Sequence, residues 1–453
     1  MARLITSLIR KSRELRKNAS MTRAELEAFK LQKFRSLVQY IEPRSSFYAG
    51  IIRERNIDPA ACVPADFPVL TKEVFVDNFD AIVTDRRITK RVVKDFLSRS
   101  TDPNTLLFDE YHVLHTSGSS GQIGYFVFSE RDWAAGIAQQ ARAAQSRQRS
   151  MRHGFGKLRL AYFGAIGGHF GGVSIVRMLN RGLLRHFVSL SLNEVNDPLP
   201  NVIARLNAFQ PNTLVGYTTA LKILAAKQVA GELDISPVFL STGGEPQSEA
   251  DRELFKKTWG CEVSNGYGSS EHMVMGLSRP DGKTMVLYDD DIIYEFHSDH
   301  LITTNLFNCT LPLIRYRMSD VIRPVEQDTS AGPYVVVESL LGRSELVPTF
   351  VARDGTDDFI SPHTINEIFI PQVNRFQMRL IDRSRFKFAV CLEEGLQEGE
   401  RAEAVVTTRQ KLQNILDQKG MDRVTFEVIE VDDLPVNEKT GKFQLIVAET
   451  ASA

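Results

Sequence analysis

The sequence predicts an α/β protein with a large N-terminal domain on a mostly parallel sheet and a small α+β C-terminal domain. From about residue 111 to residue 268, strand-like apolar runs alternate with helix-like amphipathic runs. Beyond residue 285 the pattern is rich in strands, and a smaller mixture of strands and one helix follows Arg343. A chain of 453 residues usually exceeds one core. We therefore predict domains 1–344 and 345–453.

The first hundred residues are predicted to be helical. The stretch MARLITSLIRKSRELRK is basic with a short apolar patch, which predicts a solvated amphipathic helix, with contact to a membrane surface as the alternative. Apolar residues of the range 22–41 recur at spacings of three and four, which predicts a helix that Pro43 ends. The stretch FPVLTKEVFVDNFD, residues 67–80, predicts a turn followed by another helix.

Strands and helices then alternate along the chain. The predicted strands are YHVLHT, YFVFS, LRLAYFG, TLVGY, VFLSTG and EVSNGYG. The predicted helices are SERDWAAGIAQQARAAQSR, opened by a capping box of Ser129 and Asp132, and then VIARLNAF, ALKILAAKQVA and SEADRELFKKTW. In the C-terminal domain we predict strands in FQMRLID, FKFAVCLE and VTFEVIEV, and a helix near 399–418.

Composition excludes several classes of protein. The formal net charge of −1 provides no global field that would favour nucleic acid. No apolar run reaches the ~18 residues that span a bilayer, so we expect no integral membrane segment. The start of the chain lacks the pattern of a cleaved signal, which predicts a cytoplasmic protein. Cys62, Cys261, Cys309 and Cys391 lie far apart, so we expect neither a zinc site nor disulfides.

The loop HTSGSSGQIG, residues 115–124, lies between two predicted strands. Glycines let a backbone approach a ligand closely, and hydroxyl and amide groups together can bind phosphate oxygens. The loop lacks the GxxxxGK[ST] pattern and joins two strands, so it is not a Walker A loop. Taken alone, it is either an ordinary hairpin turn or a cradle for a polyphosphate.

Five further short segments follow in order: STGGEP (241–246), NGYGSSE (265–271), LIRYRMSD (313–320), LLGRSE (340–345) and LPVNEKTGKF (434–443). With TSGSSG, these segments resemble the ordered core motifs of the adenylate-forming superfamily of acyl-CoA synthetases, peptide-synthetase adenylation domains and luciferases. The resemblance is strongest to the phenylacetate–CoA ligase and CapK-like branch, whose opening helices and PVLTK turn are also similar. It covers about residues 30–445.

The resemblance implies a role for each matched residue. The ATP phosphates would be bound by Thr116, Ser117, Gly118, Ser119, Ser120 and Gly121. The adenine would be bordered by Gly243, Gly244 and Glu245 and flanked by Tyr267, and Gly268, Ser269 and Ser270 would also belong to the ATP- and AMP-binding site. Glu271 would hold Mg²⁺, Asp320 the ribose, and Arg343 the ribose or a phosphate, while Glu345 would be the hinge and Lys442 the catalytic lysine. Core packing for Tyr267, a structural ion pair for Arg343 and the neighbouring Lys439 are the alternatives.

The glycine-rich stretch AYFGAIGGHFGG, residues 161–172, occupies the region that lines the acyl substrate in this superfamily. The candidate pocket residues are Phe163, Gly168, His169, Phe170, Tyr217 and Gly266, which suggest a flat or slender acid such as an aryl acid. The alternative for His169 is a structural loop histidine whose hydrogen bonds are satisfied within the protein.

The implied reaction is attack of a carboxylic acid on the α-phosphate of ATP, followed by acyl transfer to a thiol of CoA or of a separate carrier protein. Two departures bear on this expectation. Gln122 and Ile123 replace the Pro-Lys of many members, which removes one phosphate-facing cation. Phe350 or Val351 stands where a glycine turn usually helps form the pantetheine tunnel. The alternatives are therefore an amine or hydroxyl acceptor, or a non-catalytic nucleotide-binding scaffold.

Overall fold

The structure is a computed structural model of the 453-residue chain. It describes residues 2–116, 123–139, 157–179, 186–325, 328, 330–338, 346–353, 355–366, 368, 370, 372–434, 436–437 and 442–449. Only the backbone is described for residues 2–5, 363, 366, 436–437 and 442–443.

Helices form the N-terminal part, as predicted. They are α1 (Ala2–Asn18), α2 (Arg23–Ile41), α3 (Ser46–Glu54), α4 (Lys72–Asp77), α5 (Phe79–Ile82) and α6 (Lys90–Arg99), with a 3-10 turn at Pro64–Asp66. Thr22 caps α2 through a capping box with Glu25. The prediction for α1 was wrong in one respect, because the helix is not solvated all round: Lys11, Leu15 and Asn18 are buried. No helix among the residues listed above is long and apolar enough to cross a membrane.

An antiparallel ribbon of β1 (Tyr111–His115) and β2 (Tyr125–Ser129) follows and leads into α7 (Glu130–Ala138). The predicted capping box of Ser129 and Asp132 is present at the start of α7. His115 and Tyr125 form the last pair of the ribbon, and residues 116–124 connect the two strands at this end, which we call the open end.

A central sheet organises the large N-terminal region. Its strands are β3 (Leu158–Gly164), β4 (Val188–Glu194), β5 (Thr213–Gly216), β6 (Phe239–Gly243), β7 (Glu262–Ser269), β8 (Met273–Ser278), β9 (Thr284–Leu287) and β13 (Val335–Glu338). In space their order is β13-β9-β8-β7-β6-β5-β3-β4. Pairing is parallel from β4 to β7 and antiparallel from β7 to β13.

The connections and flanking strands complete this region. The helices are α8 (Gly171–Met178), α9 (Leu199–Phe209), α10 (Thr218–Val229) and α11 (Glu249–Trp259). A separate antiparallel sheet is formed by β10 (Ile292–Phe296), β11 (Leu301–Asn305) and β12 (Tyr316–Met318). Because β3, β5, β6 and β7 are parallel, their carboxyl ends meet at one edge of the central sheet, which is where ligands bind in open α/β sheets.

The C-terminal region has sheets and a core of its own. Its elements are β14 (Thr349–Val351), β15 (Asp357–Phe359), α12 (Pro362–Asn366), β16 (Val373–Leu380), β17 (Arg385–Leu392), α13 (Glu398–Gln418), β18 (Thr425–Glu430), β19 (Val436–Asn437), β20 (Lys442–Phe443) and β21 (Ile446–Ala448). Strands β18-β17-β16-β21 form one sheet, and α13 matches the helix predicted near 399–418. A cluster that includes Phe350, Phe388 and Leu412 packs this region.

Three consecutive aspartates between β9 and β10 attach the N-terminal helices to this framework. Asp289, Asp290 and Asp291 are all buried. Lys30 and Arg23 of α2 pair with Asp289 at 2.9 and 2.5 Å. Asp290 accepts hydrogen bonds from the side chains of Asn18 and Gln139 at 3.1 and 3.2 Å.

Asp291 has two lysine partners. Lys11 of α1 lies 2.6 Å from its carboxylate, and Lys33 of α2 also pairs with it. Burial alone would raise the pKa of Asp291, but the two lysines hold that pKa well below its usual range. The charge of Asp291 therefore stabilises the packing of α1 and α2.

Replacing Asp291→Asn should lower the free energy of unfolding by about 3 kcal/mol, because it leaves Lys11 and Lys33 without their buried counter-charge. Urea unfolding at pH 7 measures the loss. Since the folded pKa of Asp291 is depressed, the loss should persist down to the ordinary aspartate pKa of 3.8 and shrink only in stronger acid.

Asp299→Asn is the matched control, because the Asp299 side chain is 69% exposed and its ion pairs lie at the surface. The control should change stability by no more than about 0.5 kcal/mol. Equal effects of the two substitutions would contradict a stabilising role for the buried charge.

Candidate active site

The carboxyl end of β6 carries the first group of predicted site residues. Gly244 has φ +77°, a conformation that favours glycine. The Glu245 carboxylate accepts hydrogen bonds from the backbone N–H of Thr219 at 2.7 Å and from its hydroxyl at 2.9 Å. Glu245 thus holds the start of α10 against the end of β6, while Gly243 leaves the sheet edge without a side chain.

The turn between β7 and β8 carries the second group. The register between these strands shifts at Tyr267 and Gly268. A Cβ atom on Gly268 would lie 2.4 Å from the carbonyl oxygen of Met273, so a side chain cannot be accommodated there. The Ser270 hydroxyl donates a hydrogen bond to the carbonyl of His115 at 3.2 Å. The turn is thereby fixed to the open end of the β1–β2 ribbon.

Glu271 lies at the centre of this turn and is only 8% exposed. Burial raises the pKa of its carboxyl group and the negative charge of Asp320 adds to the rise, whereas Lys72 and a hydrogen bond from Ser269 oppose it. A carboxylate that is desolvated in this way is available to bind a cation.

Lys72 is a site residue that the sequence reasoning missed. The segment before it pairs with β12: the N–H of Leu70 donates to the carbonyl of Arg315, and the N–H of Arg317 donates to the carbonyl of Leu70, both at 2.9 Å. Burial lowers the pKa of the Lys72 ammonium group, while the charge of Glu271 opposes that lowering. The sequence did contain one signal. Lys72 is the first residue of α4, where the helix dipole opposes a positive charge, so a lysine there is unfavourable unless it has another role.

Asp320 and Tyr267 form the other side of the same group. Burial raises the pKa of the Asp320 carboxyl group, and the nearby Tyr267 hydroxyl opposes the rise. The pKa of Tyr267 is raised well above its usual value by burial and then by the charge of Asp320. The Tyr267 hydroxyl has no partner of standard hydrogen-bond geometry among the described residues, so a ligand could use it.

Thr116 marks the start of the predicted phosphate loop. Its N–H donates to the carbonyl of Gly124 at 2.9 Å, and its hydroxyl accepts from the N–H of Gly124 at 2.8 Å. These bonds close the loop at its base. Outside the described residues lie Ser117, Gly118, Ser119, Ser120, Gly121, Arg343 and Glu345, and the side chain of Lys442 is also outside them.

The predicted acyl-pocket residues are largely engaged in packing. Phe163 is fully buried in a core cluster that also contains Tyr217. The Tyr217 hydroxyl accepts a hydrogen bond from the N–H of Ala165 at 3.3 Å. Tyr217 thus fixes the start of the glycine-rich loop. Both rings are buried in the core and do not line an open pocket. Gly266 lies in β7, where it pairs with Gly243 of β6.

The remaining pocket candidates lie together above β1. His169 is buried, hydrogen-bonds the Ser100 hydroxyl at 3.1 Å and contacts Phe96 edge-on, which fits the alternative of a structural loop histidine. Gly168 has φ +103°, and its N–H donates to the carbonyl of Thr101. Phe170 contacts the ring of His115 at 4.7 Å. Phe170, which is only partly buried, is therefore the aromatic ring of this set nearest to the ribbon end.

Several described residues of the C-terminal region contact the large region. Phe359 of β15 packs in the same cluster as Phe163 and Tyr217. The neighbouring Asp358 accepts from the N–H of Leu199 at 3.3 Å and pairs with the buried Lys419 at 3.1 Å. In addition, Lys94 of α6 pairs with Glu393 at 3.2 Å.

Helix α13 also approaches the ribbon end. His115 is buried, and burial lowers its pKa to about 4, with smaller contributions from the charges of His169 and Lys411 of α13. His115 is therefore neutral at physiological pH.

A magnesium ion would find limited protein coordination here. Among the residues that the structure describes, no group of three or more His, Cys, Asp or Glu side chains could hold a metal by itself. A single carboxylate such as Glu271 fits Mg²⁺ bound together with the phosphates of a nucleotide, which is how this ion commonly binds.

Comparisons with known proteins identify the fold. No protein-family model matches the chain. Protein CapK of Staphylococcus aureus is 24% identical over 308 residues, which are 64% of this chain. The match spans 61% of CapK, less than two thirds of its length.

Two structures of 2-hydroxyisobutyryl-CoA ligase are similar to this chain. The complex with 2-HIB-AMP in the postadenylation state has a TM-score of 0.56 at 16% identity and covers 96% of this chain and 91% of that one. The complex with 2-HIB-AMP and CoA in the thioesterification state has a TM-score of 0.55 at 17% identity, covering 96% and 92%. The chain therefore has the fold of the adenylate-forming ligases, as the resemblance predicted.

Asp320→Asn should stabilise the ligand-free protein at neutral pH, because it removes a partly desolvated negative charge next to Tyr267 and Glu271. A raised folded pKa means that wild-type stability is lost as the pH rises through that pKa. The advantage of the variant should therefore shrink as the pH falls towards the ordinary aspartate pKa of 3.8. Thermal unfolding at a series of pH values measures this, and a variant that is less stable than wild type at pH 7 would contradict it.

Proposed function

We propose that this protein is an ATP-dependent ligase that converts a carboxylic acid to its acyl-AMP with release of pyrophosphate and then transfers the acyl group to a thiol of CoA or of a carrier protein. The observation that carries the proposal is the electrostatically interacting group of Lys72, Tyr267, Glu271 and Asp320, in and around the turn that Ser270 ties to the carbonyl of His115. On this fold it combines a cation, two carboxylates and a hydroxyl at the edge of the sheet where ligands bind.

The nucleoside would bind at the carboxyl ends of β6 and β7. Gly243 and Gly244 leave space for a flat adenine at the sheet edge, and the Tyr267 ring would flank it. Asp320 is suited to the ribose, because a carboxylate can accept hydrogen bonds from two hydroxyl groups. Ribose hydroxyls would add donors to the desolvated Asp320, beside the Tyr267 hydroxyl that already lies near it.

The phosphates would bind between the residue 116–121 loop and Glu271. Mg²⁺ held by Glu271 and the phosphates would neutralise the charge of the departing pyrophosphate. Lys72 would contribute a second positive charge, and it can take the place of the lysine that Gln122 and Ile123 replace in the loop. Burial lowers the pKa of Lys72, and a bound phosphate would add to the charge of Glu271 in opposing that lowering.

Lys442 would act in the adenylation step itself. The α-phosphate gains negative charge as the carboxylate attacks, and an ammonium group placed there stabilises that charge. The C-terminal domain, 345–453, would bring Lys442 to the site and withdraw it by rotation about Glu345. In the present structure the β14–β15 hairpin is the part of that domain that packs beside Tyr217.

The acid would bind against the glycine-rich loop. Glu194 holds this loop by accepting a hydrogen bond from the N–H of Ile166 at 2.9 Å. A Cβ atom on Gly164 or Gly172 would lie within 3 Å of the Tyr162 hydroxyl, so the backbone packs closely there. A rigid loop with few side chains favours an aryl or other slender acid, as in a phenylacetate–CoA ligase.

One observation favours a second acceptor class. Phe350 stands at the position of the usual glycine turn. It is fully buried in the core of the C-terminal region, so it does not provide the exposed backbone with which the glycine turn helps form a pantetheine tunnel. An amine or hydroxyl acceptor, which does not need a pantetheine tunnel, is therefore the second candidate.

Pyrophosphate release from ATP and Mg²⁺ should be detected with one member of a panel of aryl, aliphatic and amino acids, and CoA should accelerate it. Lys442→Ala should reduce release by about a thousandfold or more, because the developing charge loses its cation. The same variant should keep its affinity for ATP. Lys439→Ala is the matched control and should retain nearly full activity.

The other outcomes separate the alternatives. Slow release that CoA leaves unchanged would favour the amine or hydroxyl acceptor. ATP binding without release for any acid would favour a non-catalytic scaffold and contradict the proposal. Loss of activity in Lys439→Ala but not in Lys442→Ala would overturn the assignment of the catalytic lysine.

Lys72→Met should weaken ATP binding and slow pyrophosphate release, together by about tenfold to a hundredfold in kcat/KM, because one buried charge-assisted contact to phosphate is lost. Lys72→Arg should recover part of this loss. Steady-state kinetics with varied ATP measure both effects, and Lys283→Met, which removes a 73% exposed lysine, is the control. Unchanged kcat/KM in Lys72→Met would exclude Lys72 from the phosphate site.

A further inference from the structure

A polar cavity lies at the end of the β1–β2 ribbon opposite the candidate active site. Its volume is about 550 Å³. The residues around it come from the segment after α2, the loop after α5, the ribbon, the start of α7 and the loop before β12: Tyr40, Pro43, Arg44, Thr84, Asp85, Arg86, Tyr111, Ser129, Arg131, Asp132, Cys309 and Thr310. Tyr111 and His115 lie four residues apart on β1, roughly 14 Å at the usual rise per residue. The cavity is thus separate from the nucleotide site.

Both carboxylates that line the cavity are engaged within the protein. Asp132 accepts from the Thr310 hydroxyl at 2.6 Å and caps the start of α7. Burial raises the pKa of Asp132, and these hydrogen bonds oppose the rise. Asp85 accepts from the Tyr111 hydroxyl at 2.7 Å and pairs with Arg87 at 2.7 Å. Asp85 is thus paired with a cation, whereas the hydrogen-bond donors to Asp132 are neutral groups.

Three arginines on the cavity are not engaged in this way. Arg44, Arg86 and Arg131 are exposed and form no ion pair with any carboxylate of the described residues. Arg44 donates to the carbonyl of Tyr40 and stacks over its ring at 4.2 Å, which places its guanidinium beside an aromatic surface. Arg131 lies in the first turn of α7, between the acidic residues Glu130 and Asp132 of that turn.

We propose that this cavity is a second binding site, for a small organic phosphate. Guanidinium groups from three segments of the chain can bind the oxygens of a phosphate dianion through paired hydrogen bonds. The cavity is larger than a phosphate ion, so it has room for an organic part, and Tyr40, which is 41% exposed, and Pro43 provide the surface for it. This site does not depend on the proposed ligase activity.

Isothermal titration with ribose 5-phosphate and with inorganic phosphate, at low ionic strength, tests the proposal. The wild-type protein should bind ribose 5-phosphate more tightly than inorganic phosphate, since only the ester can use the Tyr40 surface. The double variant Arg86→Gln/Arg131→Gln should weaken binding of both probes by at least about tenfold, because two charge-assisted contacts are lost. Pyrophosphate release by the same variant should be unchanged, which separates this site from the ligase site.

The matched control is Arg409→Gln/Arg423→Gln, which removes two exposed arginines of the C-terminal region. It should bind the probes as the wild type does. Arg86→Lys/Arg131→Lys keeps both charges but not the paired donors and should bind with intermediate affinity; it also provides a test should the glutamine variant not fold. Absence of binding of either probe to wild type, or equal weakening in the two glutamine double variants, would overturn the proposal.

Discussion

The burial of three adjacent aspartates between β9 and β10 is the constraint on which the arrangement of the large region depends. Three carboxylates cannot be desolvated side by side unless cations and hydrogen-bond donors meet them. Those partners come from α1, α2 and Gln139 of the segment after α7. The ion pair between Lys11 and Asp291 thus joins the N-terminal helix to a residue far along the chain. Strand β10 begins directly after Asp291. Strand β12 of the sheet β10-β11-β12 then fixes two segments, because Leu70, just before Lys72, pairs with it and Asp320 lies just after its end.

A second group of desolvated charges, Glu271 and Asp320, is less fully matched by protein cations. Burial raises the pKa values of both carboxyl groups, the charge of Asp320 adds to the rise at Glu271, and Lys72 offsets only part of the rise at Glu271. The aspartates near β10 are matched by protein cations. Asp320 forms no ion pair with a cation of the described residues, and the hydroxyl of Tyr267 near it is a neutral donor. This is the pattern expected where a ligand supplies further partners.

The sequence predicted local structure well and long-range pairing poorly. The capping box at Ser129, the helix near 399–418 and the parallel succession of strands follow from short-range patterns, and the fold followed from the order of six motifs. The solvated character expected for α1 was wrong, because Lys11 pairs with a residue 280 positions away and no local pattern reveals that. Lys72 escaped notice for the same reason. Phe163 and Tyr217 were expected to line a pocket, but their aromatic character fits core packing equally well, and only the structure distinguishes the two.

The proposed role of Lys72 would compensate for one departure from the superfamily pattern, the absence of a lysine after the phosphate loop. A loop that ends in Gln122 and Ile123 lacks the cation that many members place beside the phosphates. A lysine on α4 can provide the same charge from the opposite side of the site, held there by the pairing of Leu70 with β12. The backbone just before Lys72 is held by the hydrogen bonds of Leu70 with Arg315 and Arg317. Ordering this backbone on binding would therefore cost less conformational entropy than ordering a lysine on a loop. In the proposed phosphate site, Lys72 would supply the positive charge that the loop lacks.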